Sequence, residues 1–273
     1  MSNYFVTGHP IAHSLSPIIH ETFFKCFGLN ESYEIKDIEP ENFKSEMDFF
    51  RDSEKKGFNI TIPHKIEAFK NADILDDYAK RVGAVNTIKI EGGKLYGFNT
   101  DGEGFINALK KCNVYVKGKT VCILGAGGAV NSIAVKAYLE GAKEIIILAR
   151  RQEQAKAICD RHGFGIGDSL ENFSSYEYDI LVNATPVGMH PNTGKSPVED
   201  FKECEFVYDL IYNPSKTEFL KKAEQKGINH DNGLWMLVLQ AARAFEIWTN
   251  HYPDEKMLDE AYRHVLMSLE EGL

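Results

Sequence analysis

The sequence predicts an α/β protein of two lobes, each built around a mostly parallel sheet. Three observations support this fold class. Short apolar runs alternate with helical patterns along most of the chain, which is typical of βα units with parallel strands. A glycine-rich turn at residues 125–129 separates a strand pattern from a helical one. The length of 273 residues also exceeds the usual size of a single domain.

The first alternation occupies the first hundred residues. Strand patterns occur at YFVTG, SYEIKDI and GFNITI, and helical patterns separate them at SPIIHETFFKCFGL and ENFKSEMDFF. The segments AVNTIKI and KLYGF follow, joined by EGG. Because a Gly-Gly pair favours a tight reversal, these two segments are expected to form a β-hairpin.

The stretch GFNITIPHK brings polar groups to the end of a strand. Alternation places Asn59 and Thr61 on one face, and the apolar residues on the other: Phe58, Ile60 and Ile62. Pro63 ends the strand pattern because it has no N–H to donate, and Lys65 follows it closely. A cation is therefore expected beside two neutral hydrogen-bonding groups.

The second alternation opens at Lys119 with TVCILGAGGAV and continues through IIILAR, DILVNAT and FVYDLIY. Its strands are almost wholly apolar, as expected where helices cover both faces of a sheet. From Asn232 onward the pattern is helical, through LWMLVLQAARAFEIW and then a last helix from Asp254 to about Glu271. The segment NTDGEGF around Asp101 is the expected boundary between the lobes.

The glycine-rich turn and the strand after it predict the cofactor. Glycines at this position let the backbone approach a pyrophosphate, whose charge lies against the free N–H groups of the following helix. The flanking strands and helix favour this reading over a tight structural turn. Arg150 and Arg151 end the next strand, where an acidic residue would select NAD. Two guanidinium groups suit the 2′-phosphate of NADP. The alternative interpretation is that the two arginines are only solvated surface side chains.

Composition argues against several function classes. The formal charge is −9, so neither nucleic acid nor an anionic membrane is an expected partner. The five cysteines lie far apart without a CxxC pair, which argues against a zinc site or disulfide framework and favours reduced thiols in the cytoplasm. The first residues lack a basic segment followed by an apolar core, and no run approaches the roughly 20 apolar residues that span a bilayer.

Polar side chains of the first lobe are candidates to line a small-molecule pocket: Ser14, Ser16, Asn59, Thr61, Lys65, Asn86 and Asp101. Neutral donors and acceptors in this number suit a substrate with several hydroxyl groups, and the Lys and Asp offer a pair for proton transfer. Structural alternatives exist. Ser16 could cap the helix that Pro17 starts, and Asp101 could cap the helix GEGFINALKK. Asn86 could bond only backbone, and Lys65 could be an ordinary solvated side chain.

A metal site is not expected. His9 and His13 stand four residues apart, as two ligands on one helical face would. Pro10 lies between them and argues against a shared helical face.

The order of the motifs SLSP, NITIPHK, GAVNT, NTDG, GAGGA, NATPVGM, DLIYNPSKT and NGLWMLVLQA resembles that of the shikimate dehydrogenase family. The match covers almost the whole chain. The resemblance implies a substrate-binding domain of residues 1–101 and 238–273, a Rossmann-like NADP-binding domain of residues 102–237, and an active site in the cleft between them. The expected location is the cytoplasm, on the cysteine pattern, and the sequence leaves the oligomeric state open between a monomer and a homodimer.

The resemblance also implies a role for each site residue. Ser14 and Ser16 would hold the substrate carboxylate, and Lys65 and Asp101 would be the catalytic pair. The remaining substrate contacts would be Thr61, Asn86, Tyr212 and Gln240, to which the strand pattern adds Asn59. The cofactor contacts would be Gly125, Ala126, Gly127, Gly128, Ala129, Arg150, Arg151, Thr185, Ile211, Gly233 and Met236.

Two motifs depart from the family pattern. The family has Asn-Arg-Thr after the second strand of the cofactor domain, whereas this chain has Ala149, Arg150 and Arg151. Arg151 is expected to replace the lost hydroxyl contact, with some loss of discrimination between NADP and NAD. In NATPVGM, Pro186 stands where many members have Ser. Thr185 and Gly188 remain, so the backbone path beside the nicotinamide is expected to be intact.

The implied reaction is reversible hydride transfer between NADPH and the ketone of 3-dehydroshikimate, which gives shikimate. Lys65 would donate to the carbonyl oxygen as negative charge grows there. Burial of Lys65 would favour proton exchange, whereas a neighbouring Asp101 would favour a fixed cation. Two other functions are open to this sequence: a quinate/shikimate dehydrogenase with relaxed NAD/NADP preference, and a non-catalytic NADP(H)-binding sensor. Arg150 and Arg151 argue against the first, and retention of both Lys65 and Asp101 argues against the second.

Overall fold

A computed structural model describes residues 3–271. The chain divides into two compact units, residues 1–101 with 238–273 and residues 102–237. The second unit is thus inserted between two segments of the first. Both are α/β structures with one six-stranded sheet each, which confirms the predicted fold class.

The first unit contains six strands: β1 (Tyr4–Gly8), β2 (Tyr33–Asp37), β3 (Gly57–Ile60), β4 (Ile74–Leu75), β5 (Thr87–Glu91) and β6 (Lys94–Phe98). Its helices are α1 (Ser16–Cys26), α2 (Phe43–Arg51), α3 (Lys65–Asn71) and α4 (Asp77–Val82). The strand order is β2-β1-β3-β5-β6-β4. β1 is parallel to β2 and β3, and β4 is parallel to β6. β5 is antiparallel to β3 and β6, so the predicted hairpin is confirmed.

The strand in GFNITIPHK is shorter than the alternation predicts. β3 ends at Ile60, and the chain then turns tightly, with the His64 N–H donating to the Thr61 carbonyl over 3.0 Å. Phe58 and Ile60 are buried, but Ile62 is 67% exposed. The expectation that all three apolar residues fill one face is therefore wrong for Ile62, because the strand geometry stops before it.

The start of α1 differs from the alternative in which Ser16 caps this helix. Ser16 is the first residue of the helix, Leu15 occupies the N-cap position, and no side chain caps the helix. The reading of Ser16 as the N-cap is therefore wrong. The Ser14 hydroxyl instead accepts a hydrogen bond from the Ser16 N–H over 3.3 Å, which connects the two serines at the start of the helix.

The second unit contains β7 (Thr120–Leu124), β8 (Glu144–Ala149), β9 (Ile166–Ser169), β10 (Ile180–Asn183), β11 (Phe206–Asp209) and β12 (Asn229–Asn232). Helices α5 (Asp101–Lys111), α6 (Gly128–Leu139), α7 (Gln152–His162) and α8 (Glu218–Gln225) connect them, with a 3₁₀ helix at Leu170–Ser175. The chain continues through α9 (Leu234–Thr249) and α10 (Glu255–Glu270). The unit boundaries fall at the start of α5 and inside α9.

The sheet of the second unit has the order β12-β11-β10-β7-β8-β9, and every pair is parallel. Numbered from its first strand, this is the order 3-2-1-4-5-6 of the doubly wound dinucleotide fold. The order reverses between β7 and β10. Ligands of such sheets bind beyond the carboxyl ends of the strands at that reversal.

None of the helices within residues 3–271 is both long and apolar enough to cross a membrane. All five cysteines are free thiols.

Candidate functional site

The glycine-rich turn lies at the reversal point of the second sheet, directly after β7. Gly125 has a φ of +116°, and a Cβ atom there would lie 2.9 Å from the Ala184 carbonyl oxygen. Glycine is therefore required where the turn passes the end of β10. Gly127 is the N-cap of α6, and a Cβ atom on Gly127 or Gly128 would meet no atom within 4 Å. Both glycines are exposed, so the helix N-terminus is open to an anion. Ala126 and Ala129 complete the turn.

The two arginines follow β8, the strand next to β7. Both are exposed, and Arg151 is the N-cap residue of α7. Within residues 3–271 neither guanidinium has an ion-pair partner, so both are available to an outside anion. Since β7 and β8 are parallel, their carboxyl ends lie at the same edge of the sheet. The turn and the arginines therefore suit the pyrophosphate and the 2′-phosphate of one dinucleotide.

The ends of β10 and β11 carry a buried polar cluster that sequence reasoning missed. Asn183 Nδ2 donates to Asp209 Oδ1 over 2.9 Å, and Thr185 Oγ1 donates to Asn183 Oδ1 over 2.7 Å. Asp209 also accepts from Ile211 N over 3.0 Å and from Thr217 Oγ1 over 2.6 Å. The cluster fixes the loops that hold the predicted cofactor residues Thr185 and Ile211. A polar last residue in the apolar strands ILVN and FVYD was the available signal.

Asp209 is fully buried, with 0% exposure. Burial raises the pKa of its carboxyl group to about 6, although its three hydrogen bonds partly oppose this. No cation contributes, so the carboxylate is held by neutral donors only.

The remaining predicted cofactor residues, Gly233 and Met236, lie at the start of α9. Gly233 is buried directly before α9, and a Cβ atom there would overlap the Leu210 carbonyl. Met236 follows in the first turn and is also buried. Tyr212, predicted as a substrate contact, follows Ile211 in this unit, and burial raises the pKa of its hydroxyl. All other predicted substrate residues belong to the first unit.

Lys65 and Asp101 form an ion pair in the first unit. Lys65 begins α3, Asp101 begins α5, and Lys65 Nζ lies 2.6 Å from Asp101 Oδ2. The two side chains are 16% and 9% exposed. The alternative of a solvated Lys65 is therefore wrong. Because little water screens the pair, each charge holds the other in place more strongly than on a surface.

Asn86 connects this pair to the residues around it. Its Nδ2 donates to Asp101 Oδ1 over 2.8 Å, and its Oδ1 accepts from Thr100 N over 2.8 Å. The alternative that Asn86 bonds only backbone is therefore wrong. The Thr100 hydroxyl lies 3.4 Å from Gln240 Oε1 on α9. The structure thus links four predicted residues: Lys65, Asp101, Asn86 and Gln240.

Three other predicted residues lie in the first unit. Asn59 is buried and bonds to Tyr33 and Thr87. Ser16 is buried, and its hydroxyl is a hydrogen-bond partner of the Tyr33 phenol. Thr61 is partly exposed in the turn before α3.

Of the two histidines considered as metal ligands, His9 contacts an aspartate. His9 Nδ1 lies 2.7 Å from Asp37 Oδ1, and this hydrogen bond raises the pKa of His9. Within the described residues 3–271, no three or more His, Cys, Asp or Glu side chains are grouped to hold a metal ion.

The chemistry of the first unit follows from these contacts. A primary ammonium lies against a carboxylate that also accepts from an amide, and neutral hydroxyl and amide groups surround both. Such a set can donate a proton to an oxygen that gains negative charge and can bind a polyhydroxylated molecule. The second unit can hold a dinucleotide.

Family models match three segments of the chain. The model described as "Shikimate dehydrogenase substrate binding domain" matches residues 6–88. "Shikimate / quinate 5-dehydrogenase" matches residues 107–212, and "Shikimate 5'-dehydrogenase C-terminal domain" matches residues 233–258.

Individual proteins are similar to this chain over nearly its whole length. The shikimate dehydrogenase (NADP(+)) of Caldanaerobacter subterraneus subsp. tengcongensis is 41% identical over 94% of both chains. A chorismate mutase/shikimate 5-dehydrogenase fusion protein from Clostridium acetobutylicum has a TM-score of 0.93 at 34% identity, with 99% of each chain covered. The shikimate 5-dehydrogenase of Thermus thermophilus, in complex with NADP(H) and shikimate, has a TM-score of 0.88 at 37% identity, covering 96% of this chain and 99% of its own.

Substitution of Asp209 by asparagine tests the buried cluster. The folded-state pKa of about 6 lies above the ordinary value of 3.8, so the folded protein binds more protons than the unfolded chain between those values. Wild-type stability should therefore fall as pH rises from 4.5 to 7, by about 2 kcal/mol more than that of Asp209→Asn. Urea unfolding at both pH values measures this. The exposed Asp160→Asn is the control and should follow the wild type. Identical pH dependence in Asp209→Asn and the wild type would contradict the assignment.

Proposed function

Because the chain belongs to the shikimate dehydrogenase family, we propose that it catalyses the reversible NADP-dependent reduction of 3-dehydroshikimate to shikimate, a step of the shikimate pathway of aromatic amino acid biosynthesis. The observation that carries this proposal is the Lys65–Asp101 ion pair, with Asn86 bonded to the same carboxylate. A protein that only bound its ligands would need neither a proton donor nor the group that orients it.

The first unit is proposed to bind the substrate. A hydrogen bond connects Ser14 and Ser16 at the start of α1. Both residues offer hydroxyl groups for the substrate carboxylate. The ring hydroxyls are assigned to the polar groups around the ion pair: Thr61, Lys65, Asn86, Asp101 and Gln240. Tyr212 of the second unit is assigned a further substrate contact, as the family resemblance implies.

The second unit is proposed to bind NADP. The open N-terminus of α6 supports a pyrophosphate site, and the unpaired Arg150 and Arg151 support a 2′-phosphate site. Thr185, Ile211, Gly233 and Met236 are assigned to the nicotinamide end, as the family resemblance implies. The cofactor, when bound, supplies the hydride.

Residues of the first unit are proposed to donate and accept the proton of the reaction. As the carbonyl carbon is reduced, negative charge grows on its oxygen, and Lys65 donates a proton to that oxygen. Asp101 holds the ammonium in place through their 2.6 Å ion pair. In the oxidation of shikimate the step runs in reverse: Lys65, as the neutral amine, accepts the hydroxyl proton and becomes the ammonium again.

We propose that the protein is cytoplasmic, which its five free thiols support, and that it is a monomer or a homodimer.

Initial rates with four substrate and cofactor pairs test this function against the quinate/shikimate alternative. We expect the fastest change in nicotinamide absorbance with shikimate and NADP⁺, and slower rates when quinate or NAD⁺ is substituted. The absence of oxidation of shikimate with either cofactor would overturn the proposal and favour a binding protein. Equal rates with all four pairs would favour the relaxed alternative.

Substitution of Lys65 by alanine tests the proton donor. The loss of the ammonium should lower turnover by roughly 10²-fold or more, the usual scale for an acid–base or oxyanion group. Lys70→Ala is a matched control, because Lys70 is on the same helix, is exposed, and within residues 3–271 pairs with Glu67 alone. A folded Lys65→Ala protein with normal turnover would refute the assignment.

Substitution of Arg150 by alanine tests the cofactor choice. A lost hydrogen bond between charged groups should raise the KM for NADP⁺ by at least about 10-fold. The KM for NAD⁺, which lacks the 2′-phosphate, should change little. Arg161→Ala, at the other end of α7, is the control. An equal rise for both cofactors would count against a 2′-phosphate contact.

A further inference from the structure

A chain of buried side chains runs through the first unit and ends at the proposed catalytic carboxylate. Its members, in order, are Tyr33, Asn59, Thr87, Asn86 and Asp101, and none is more than 6% exposed. The four links measure 2.7, 3.1, 3.0 and 2.8 Å between donor and acceptor atoms. Asn59 and Thr87 face each other across the paired strands β3 and β5. Every link is therefore within normal hydrogen-bond distance.

The backbone fixes the orientation of the first amide in this chain. Asn59 Nδ2 lies 3.3 Å from the Asn86 carbonyl oxygen, which can only accept a hydrogen bond. Asn59 Oδ1 therefore faces Tyr33, whose hydroxyl must donate to it. Burial raises the pKa of Tyr33 well above its usual value, so the phenol keeps the proton that it donates.

A second backbone group fixes the other amide. The Thr100 N–H donates to Asn86 Oδ1 over 2.8 Å, and an N–H can only donate. Asn86 Nδ2 therefore faces Asp101 Oδ1. Thr87 lies between the two amides and has a single hydroxyl proton. Because its oxygen accepts from Asn59 Nδ2, its proton is directed to Asn86 Oδ1.

All four links therefore donate in the same direction, toward Asp101. The two oxygens of this carboxylate accept from Asn86 on one side and from Lys65 on the other. In both contacts the Asp101 oxygen is the acceptor. Both amide hydrogens of Asn59 are donated within the chain, to Asn86 O and Thr87 Oγ1.

We propose that Thr87, with Asn59 and Tyr33 behind it, is a positioning residue for the Lys65–Asp101 pair: together with Thr100, it orients the Asn86 amide, which in turn holds the Asp101 carboxylate. The proposal rests on the function proposed above. Asn59 then acts through Thr87 and Asn86, in place of the direct substrate contact that the strand pattern predicted.

The far end of the chain is held by packing. The ring of His20 stacks on the Tyr33 ring, with centroids 4.5 Å apart and planes 10° apart. His20 is fully buried, and burial lowers its pKa to about 3, so the ring is neutral at ordinary pH. It therefore fixes the Tyr33 ring without adding a charge.

Two substitutions at Thr87 separate the hydroxyl from the shape of the side chain. Thr87→Val keeps the shape but removes the hydroxyl, and should lower kcat about 10-fold, the effect of one lost buried hydrogen bond. The KM for shikimate should change less than kcat. Thr87→Ser keeps the hydroxyl and should recover most of the turnover. Equal turnover in the two variants, whether high or low, would overturn the proposal.

Thr22→Val is the matched control. The Thr22 hydroxyl is also buried and donates to Ile18 O over 2.7 Å on α1, but it has no link to Asp101. Its loss should affect stability and leave kcat unchanged. A fall in kcat as large as that of Thr87→Val would mean that any lost buried hydroxyl lowers turnover, which would overturn the specific role.

Two further measurements keep the proposal testable. Tyr33→Phe removes the first donor and also the phenol that contacts Ser16, so its effect on kcat, and not on the KM for shikimate, bears on the chain. We expect kcat to fall about 3-fold, a fraction of one hydrogen bond; unchanged kcat would overturn the part of the proposal that concerns Tyr33. A crystal structure of Thr87→Val should have the Asn86 amide displaced from Asp101, and an undisplaced amide would overturn the role of Thr87. That result does not depend on activity, so it separates failure of this inference from failure of the proposed function, which an inactive wild type would indicate.

Discussion

The rest of the site depends on the ion pair between Lys65 and Asp101, two groups 36 residues apart in sequence that meet at 2.6 Å. Each begins a helix, so their backbone positions are set by the elements before them: the turn after β3 and the end of β6. Burial makes the attraction strong, and it also makes any misplacement costly, because a carboxylate without donors is unstable in a place that water scarcely reaches. Asn86 reduces that cost by donating to the second oxygen.

The two sheets serve the proposed function in different ways. The all-parallel sheet of the second unit brings the glycine turn, the arginines and the Asn183–Asp209 cluster to the carboxyl edge of its strands. The mixed sheet of the first unit instead uses its antiparallel strand. The β3–β5 pairing places Asn59 opposite Thr87, and from there the polar chain reaches Asp101. The hydrogen bonds that these polar side chains donate toward Asp101 therefore explain why polar residues occur along this strand pair.

Features set by local pattern could be predicted from the sequence. Strand–helix alternation predicted the fold class, and the Gly-Gly turn predicted the hairpin. Edge strands β9 and β12, with the sequences IGDS and NHDN, were not predicted, because edge strands need few apolar residues. Ile62 was misassigned because alternation does not reveal where a strand stops. The partners of Asn59, and the Asn183–Asp209 contact, depend on pairing between segments distant in sequence, which periodicity does not encode.

A neutron crystal structure of the deuterated protein at neutral pH would test the central claim most directly, because it locates the exchangeable hydrogens. The account predicts three deuterons on Lys65 Nζ, none on the Asp101 carboxylate, and a Thr87 deuteron directed at Asn86 Oδ1. A deuteron on Asp101, or a Thr87 deuteron directed at Asn59, would contradict it.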